Sequence, residues 1–330
     1  MLVLNTNTFF RMDDWPESPR QQNEGNMINL DGSDSNDTNM REDYSMKTIL
    51  LLLLTGFIIT SFAQTNTGKS FRITSTYSMF PDSLRNAEPR IYDNKTYTAA
   101  EHYSDSSAYI FVPAYFDKTK PFHFVFWFHG WGNNIDSALI EYKLEEQFDA
   151  AHLNAIFIFP EGPRNSPDSY GGKFEKAGVF NLFMKDIVRF LSKEKIISST
   201  DHSAGLIYAG HSGAYRVMSY LLLNSSYTCK GILLFDALYG QQEKFTMYLQ
   251  QHSSCKMINI YTDNGGTMQN SRDLMMDMDE WKWKYIQKQE GDITASDLKN
   301  NRLIFIHSKA EHNDVVANNN NFQRFLESFK

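Results

Sequence analysis

One stretch decides how this sequence folds: LIYAGHSGAYR, residues 206–216. The apolar residues at its start are typical of a buried β-strand, and the residues after Ala214 are typical of a helix. Between them, Ser212 lies in the pattern G-x-S-x-A. This pattern differs only at its fifth position from G-x-S-x-G, the turn that exposes a serine between a strand and a helix. Alanine at the fifth position adds only a methyl group. The stretch therefore predicts a nucleophilic serine on a sharp strand-to-helix turn.

Short apolar segments recur on both sides of this turn, with helical or loop segments between them. They cover residues 70–78, 107–113, 122–130, 154–163, 205–213, 231–240, 256–266 and 301–315. Strands that end in glycine or aspartate and alternate with helices predict an α/β fold, with a mostly parallel sheet covered by helices on both faces. Ligands bind beyond the carboxyl ends of such strands. The loop at 164–177 and the stretch 268–300 are long enough to shape a pocket there.

A serine attacks a carbonyl carbon only when a histidine takes its proton and, in most cases, an acid orients that histidine. Two histidines lie at or after the last predicted strand. His307 continues the strand, whereas His312 follows five residues later in a polar loop. A side chain in that loop can reach over the strand ends. We therefore expect His312 to be the base.

Two aspartates are candidates for the acid. Asp236 follows one predicted strand in LFDALYG, and Asp263 follows the next strand in YTDNGG. Both lie at the carboxyl ends of strands, where either carboxylate could instead cap a turn. We prefer Asp263 as the acid and keep Asp236 as the alternative.

The charged oxygen that forms during acyl transfer needs backbone N–H donors. Gly213, directly after the serine and at the start of a helix, is expected to supply one of them. The glycine-rich turn FWFHGWGNN, residues 126–134, is expected to supply the second donor through Gly130 or Trp131. Trp131 is also a candidate for lining the substrate pocket.

Taken in order, these segments resemble the α/β-hydrolase superfamily: FWFHGWG after an early strand, AGHSGA at the serine, YTDNGG for the acid and AEHND for the histidine. The order Ser, Asp, His along the chain is that of the superfamily, and the resemblance covers about residues 70–330. It implies a sheet of the eight-stranded type, a serine hydrolase site, little or no cap, and no cofactor. Ala214 departs from the superfamily pattern. FPEGPR and the loop after it also resemble small esterases and depolymerases that have no cap.

The resulting hypothesis is a serine hydrolase that cleaves a carboxylic ester, in a small molecule or a polymer, through an acyl-enzyme. An amidase or peptidase would use the same triad, and a catalytically silent binding domain on the same scaffold is a further alternative. Arg164, Arg216 and Tyr239 are candidates for the substrate pocket. Each of the three is equally compatible with a surface or helix position.

The N-terminal part of the chain differs from the rest. Residues 1–45 hold nine acidic residues and three arginines, and they are expected to be disordered. Met46–Ala63 has a lysine, an apolar run over residues 49–59 and small residues before its end, as secretory signal peptides do. The run is shorter than the roughly 20 residues of a membrane span, although an anchor is the alternative. We expect translation to start at Met46, the protein to be secreted or periplasmic with no membrane span after cleavage, and residues 64–330 to form one hydrolase domain.

Charge and cysteine content narrow the remaining possibilities. The net charge of −7 leaves no basic surplus for nucleic acid or anionic lipid. No group of histidines, cysteines and acids has the spacing of a zinc site, and no phosphate-binding loop is present. Cys229 and Cys255 each precede an apolar run by two residues. If the two runs are neighbouring parallel strands, a disulfide can join them; two unpaired buried thiols are the alternative.

Overall fold

The computed structural model describes residues 68–198 and 203–330. The segment expected to be disordered, 1–45, and the expected signal peptide, Met46–Ala63, lie outside the described residues. The strands are β1 (Lys69–Thr74), β2 (Arg90–Tyr92), β3 (Lys95–Tyr97), β4 (Ser107–Val112), β5 (Phe122–Phe128), β6 (Ala155–Pro160), β7 (Ser203–His211), β8 (Cys229–Phe235), β9 (Lys256–Thr262), β10 (Ile286–Gln289) and β11 (Leu303–Ser308). The α-helices are α1 (Ser83–Ala87), α2 (Ala99–His102), α3 (Ile135–Glu141), α4 (Leu144–Ala150), α5 (Val179–Lys193), α6 (Tyr215–Asn224), α7 (Gln242–Gln251), α8 (Met268–Glu280), α9 (Ala295–Asn300) and α10 (Asn321–Glu327).

Nine of these strands form one sheet in the order β1-β4-β6-β5-β7-β8-β9-β11-β10. β1 and β4 run antiparallel to their neighbours, and the strands from β6 to β10 in this order are parallel. β2 and β3 form a separate hairpin. The mostly parallel sheet is therefore confirmed. The ninth strand, β10, comes from the stretch 268–300, which also forms α8 and α9 and so is not an irregular pocket loop.

The central strand β7 shows why the sheet needs cover on both faces. Its side chains alternate, with Leu206 and Tyr208 packed into one apolar layer and Ile207 and Ala209 packed into the other. Helices α5, α6, α7 and α8 contribute to the first layer, and α3, α4, α9 and α10 contribute to the second. A fully buried large apolar side chain stabilises the fold by about 1.5–3 kcal/mol relative to an exposed one. Two helical layers on one sheet confirm the predicted fold class.

The two cysteines lie where β8 and β9 begin, and both are buried and free. β8 begins at Cys229, whereas β9 begins at Lys256, and the register of the two strands pairs Gly231 with Lys256. The cysteines are thus offset by one residue, and the expected disulfide is not formed. The Cys229 thiol instead donates to the Gly231 carbonyl at 3.1 Å. Burial, together with the neighbouring Cys255 thiol, raises the pKa of Cys229 well above its ordinary value.

Among the described residues, no helix has both the length and the apolar character that a membrane crossing requires. These residues all belong to one compact unit, Gln64–Lys330.

Candidate active site

Ser212 lies at the junction of β7 and α6, on a single turn formed by Ser212–Ala214. Its φ angle is 54°, in the left-handed region that few residues other than glycine adopt. Backbone strain of this kind is concentrated at functional sites. The structure thus places the serine on the predicted strand-to-helix turn, at the carboxyl edge of the sheet.

The alanine at the fifth position of the motif fits because the first position has no side chain. A Cβ added to Gly210 would lie 2.5 Å from the Cβ of Ala214. Ala214 is almost completely buried, with 2% of its surface exposed. The methyl group therefore occupies space that Gly210 leaves free, and the departure from G-x-S-x-G does not disturb the turn.

His312 lies in the loop after β11, and its partner is Asp236. The Nδ1–H group of His312 donates a hydrogen bond to Oδ2 of Asp236 at 2.7 Å. The histidine side chain is 29% exposed, whereas the aspartate side chain is completely buried. With Nδ1 bound to the carboxylate, the Nε2 atom of His312 is left as the nitrogen that can accept a proton.

The segment YTDNGG and the threonine that follows it, Thr267, hold the Asp236 carboxylate through residues other than Asp263. Thr262 donates to this carboxylate from its N–H at 3.1 Å and from its hydroxyl at 2.7 Å, and the Thr267 hydroxyl donates a further hydrogen bond. Gly265 packs directly against the same carboxylate, where a Cβ would collide with it. Burial acts to raise the pKa of Asp236, but the hydrogen bonds from His312, Thr267 and Thr262 outweigh it and hold the pKa below its ordinary value.

The preference for Asp263 as the partner of His312 is not supported by the geometry. Oδ1 of Asp263 accepts a hydrogen bond from Nε2–H of His307 at 2.6 Å. The other ring nitrogen of His307, Nδ1, accepts from the Gln289 amide at 3.1 Å. β8 and β9 are neighbours, so their two aspartates lie at the same edge, but only the carboxylate after β8 contacts the loop of His312. The acid candidate that the structure brings to the base is Asp236.

Tyr239 connects the serine to the acid loop. Its hydroxyl donates to the Gly265 carbonyl and lies near the Ser212 side chain. Its ring centroid lies 6.2 Å from that of His312. Burial, reinforced by the negative charge of Asp236, raises the pKa of Tyr239, so the hydroxyl stays protonated at neutral pH. The candidate pocket residue Tyr239 is thus beside both Ser212 and His312.

The candidate oxyanion residues also meet at the turn. A Cβ added to Gly130 would lie 2.6 Å from the Cβ of Ser212 and 3.2 Å from the amide nitrogen of Gly213. Only glycine allows the two loops to approach this closely. The Trp131 indole packs against Gly213, donates from Nε1 to the Ser169 hydroxyl at 2.8 Å, and is 44% exposed. The structure therefore brings Gly130, Trp131 and Gly213 together beside Ser212.

A buried pair that the sequence analysis did not identify supports the glycine-rich turn. Nδ1 of His129 donates to the Gly130 carbonyl at 2.7 Å, and its Nε2 lies 3.0 Å from Oε1 of Glu161. Both side chains of this pair are 1% exposed. Glu161 also accepts the N–H of Ile135 at 3.2 Å. Glu161 lies in FPEGPR, so that motif was the feature of the sequence from which the pair could have been found.

The two arginines proposed for the substrate pocket have other partners. Arg216 makes two hydrogen bonds to the Glu175 carboxylate, at 2.7 and 2.9 Å, and its guanidinium lies over the Tyr170 ring. Arg164 is 44% exposed and lies 3.7 Å from Asp105. Neither guanidinium contacts the serine turn. Arg216 is held on the side of α6 that faces residues 170–175, and Arg164 lies against Asp105. Of the three candidates, the structure places only Tyr239 at the site.

Within residues 68–198 and 203–330, no three histidine, cysteine or acidic side chains are grouped in a way that could hold a metal ion.

The described fold is similar to that of solved hydrolases. One is a feruloyl esterase module from Clostridium thermocellum, an S954A mutant solved with sinapinate, with a TM-score of 0.50 and 14% sequence identity over 80% of this chain and 88% of that one. Another is S-formylglutathione hydrolase from Staphylococcus aureus, with a TM-score of 0.46 and 11% identity over 78% of this chain and 94% of that one. No protein-family model matches the sequence, and comparison with curated proteins finds no match. The chain has the α/β-hydrolase fold.

Proposed function

We propose that this protein is a serine hydrolase that cleaves carboxylic esters. The observation that carries the proposal is the hydrogen bond from Nδ1 of His312 to the buried Asp236, at 2.7 Å. The His312 ring lies 4.5 Å from the ring of His211, the residue directly before the serine whose φ angle is 54°. This arrangement supplies a nucleophile, a base with Nε2 available, and an acid that orients the base.

In the proposed reaction, the Ser212 hydroxyl attacks the ester carbonyl carbon while Nε2 of His312 takes its proton. The negatively charged oxygen is stabilised by backbone N–H groups of Gly213 and of the turn at Gly130 and Trp131. His312 then gives its proton to the departing alcohol, which leaves an acyl-enzyme on Ser212. A water molecule repeats the sequence, His312 again acting as base, and releases the acid. Asp236 stays ionised throughout and stabilises the positive charge that develops on the imidazole.

An ester is proposed as the substrate, in a small molecule or a polymer. The feruloyl esterase that shares the fold is named for cleavage of an ester, which agrees with this choice. Tyr239 and the exposed Trp131 are the proposed pocket residues, because both lie beside Ser212. The reaction requires no cofactor. We also propose that Met46–Ala63 is a secretory signal peptide, so that the hydrolase acts outside the cytoplasm.

A fluorophosphonate probe tests the nucleophile, because it reacts with an activated serine and not with an ordinary one. We expect the wild-type protein to be labelled and Ser212→Ala to be unlabelled. Ser219→Ala is the matched control, since Ser219 is a buried serine on α6 whose hydroxyl donates to the Arg216 carbonyl. Labelling that persists in Ser212→Ala, or no labelling of the wild type, would refute the proposal.

The bond that is cleaved is tested separately. We expect p-nitrophenyl esters of short acids to be hydrolysed and aminoacyl anilides to be cleaved at least about 10²-fold more slowly, because an amine is the poorer leaving group. Comparable or faster turnover of the anilides would assign the site to an amidase or peptidase. Labelling without turnover of either class would indicate a binding domain with a residual reactive serine.

A further inference from the structure

The second residue of the serine motif, His211, is the last residue of β7, and 2% of its surface is exposed. The motif requires no particular residue at this position. Its Nε2 atom lies 2.9 Å from the carbonyl oxygen of His312, and its Nδ1 lies 3.2 Å from the hydroxyl of Tyr142. The rings of His211 and His312 are 4.5 Å apart between centroids. His211 therefore contacts the loop of the base from the strand that carries the nucleophile.

The two hydrogen bonds determine where the proton on His211 lies. A carbonyl oxygen can only accept, so the Nε2 atom of His211 must carry the hydrogen that the His312 carbonyl receives. The Nδ1 atom is then the acceptor, and the Tyr142 hydroxyl is the donor. Burial, together with the neighbouring His312, lowers the pKa of His211 to about 3. The ring is thus neutral, with one tautomer, over the range in which esterases work.

The hydrogen bonds extend from His211 to the glycine-rich turn. The Nδ2 group of Asn133 donates to the Tyr142 hydroxyl at 3.4 Å and to Glu141 at 3.0 Å. Asn133 belongs to the glycine-rich turn that contains Gly130, and its carbonyl accepts the N–H of Asn165 at 2.8 Å. The candidate oxyanion turn, the serine strand and the loop of the base are therefore joined by one buried set of hydrogen bonds.

The loop after β11 needs such an anchor. Lys309, Glu311 and Asn313, on either side of His312, are exposed. The His312 imidazole itself is held on one side by Asp236, which leaves its main chain to be held by something else. Catalytic groups must be held to about 0.5 Å, and a displacement of about 1 Å costs on the order of 10²-fold in rate.

We propose that His211 is a positioning residue of the hydrolase, which holds the main chain at His312 through its Nε2–H group and so keeps the imidazole in place over Ser212. The proposal rests on the proposed function, because it assigns His211 a role in setting the geometry of that base. It also explains why this position of the motif carries a ring that can donate from one nitrogen while it accepts at the other.

Two substitutions separate positioning from simple filling of space. His211→Phe keeps a ring of similar size and removes both hydrogen bonds, whereas His211→Gln places an amide N–H near the position of Nε2. With p-nitrophenyl acetate, we expect kcat of His211→Phe to fall about 10²-fold with KM changed less than about threefold, and His211→Gln to recover most of the loss. The rate of fluorophosphonate labelling is expected to follow kcat. Tyr248→Phe is the control, because it removes a buried tyrosine hydroxyl that donates to the Cys229 carbonyl. Cys229 lies at the start of β8, and Asp236 follows the other end of that strand.

Equal losses in His211→Phe and His211→Gln, or a His211→Phe variant within about threefold of wild-type kcat, would overturn the proposal. If His211→Phe does not fold, ¹⁵N NMR of histidine-labelled wild-type protein tests the proposal by reporting the tautomer and charge of the His211 ring. The His211 signal is identified by its absence from the spectrum of His211→Gln. We expect an Nε2-protonated neutral ring that does not titrate between pH 5 and 8; an Nδ1-protonated or titrating ring would overturn the proposal. Absence of labelling in the wild type would instead refute the proposed hydrolase function, so the two failures are distinguishable.

Discussion

Two histidine–aspartate pairs lie at the same edge of the sheet, and they differ in ways that decide which one can catalyse. Asp236 with His312 and Asp263 with His307 have nearly equal hydrogen bonds, of 2.7 and 2.6 Å. The Asp236 side chain is fully buried, whereas the Asp263 side chain is 46% exposed. An exposed pair of this kind contributes only about 0–1 kcal/mol, because water screens it.

The nitrogen atoms make the second difference. His312 uses Nδ1 for its aspartate and leaves Nε2 available, whereas His307 uses Nε2 for Asp263 and Nδ1 for Gln289. A histidine with both nitrogens engaged cannot take a proton from a serine without breaking a hydrogen bond. Short distance alone therefore does not identify a catalytic pair; burial of the acid and a free nitrogen on the base do.

Replacing the two histidines is the strongest test of this difference. We expect His312→Gln to reduce kcat/KM for p-nitrophenyl acetate by about 10⁴- to 10⁶-fold, because the base is lost. His307→Gln is the matched control, and we expect its effect to be less than about threefold. Steady-state kinetics of the two purified variants make the measurement. A large loss in His307→Gln would show that the exposed pair takes part in the reaction.

Two glycines give the next test: Gly130, which packs against Ser212, and Gly291, which lies two residues after the end of β10. Gly130→Ala would place a Cβ 2.6 Å from that of Ser212, so we expect kcat to fall about 10²-fold or more as the turn and the serine are pushed apart. Gly291→Ala is the control near the exposed pair, because no atom lies within 4 Å of the added Cβ. We expect that variant to keep wild-type kcat. Equal kcat values in the two variants would contradict the close packing at Ser212.

The smallest expected effect is a change of stability with pH. Although burial opposes its ionisation, hydrogen bonds hold the pKa of Asp236 below its ordinary value in the folded protein, while the unfolded chain has a value near 4. The carboxylate therefore adds stability above about pH 4, and this contribution is lost as the pH falls through the folded-state pKa. We expect the Tm difference between wild type and Asp236→Asn to be largest near pH 7 and to narrow below about pH 4. A difference that is independent of pH would contradict the lowered pKa.

Much of the fold could be predicted from the sequence, because it follows from the spacing of the apolar residues and from the order of strand-like and helical segments along the chain. In the helix Val179–Lys193, Phe180, Phe183 and Ile187 recur at helical spacing and are buried, since one apolar face must cover the sheet. The strands of the sheet core were found for the same reason. The short strand β10 was missed because its four residues, IQKQ, have no apolar run.

The serine and the histidine were predicted from local pattern, but the acid was not. YTDNGG contains an aspartate at a strand end, yet its contribution is Thr262 and Gly265, which together with the following Thr267 surround the carboxylate of Asp236. Which of two neighbouring carboxylates faces a loop that starts more than 40 residues later depends on three-dimensional packing. The one-residue offset between Cys229 and Cys255 was hidden for the same reason, because strand register is a tertiary property.

The central claim is that Asp236, and not Asp263, orients the base. The direct test is kcat/KM of Asp236→Asn and Asp263→Asn for p-nitrophenyl acetate, measured side by side on folded protein. We expect Asp236→Asn to lose about 10³- to 10⁴-fold, because the imidazole loses its tautomer and its charge stabilisation, and Asp263→Asn to stay within about threefold of wild type. A large loss in Asp263→Asn with near-normal activity in Asp236→Asn would contradict the claim.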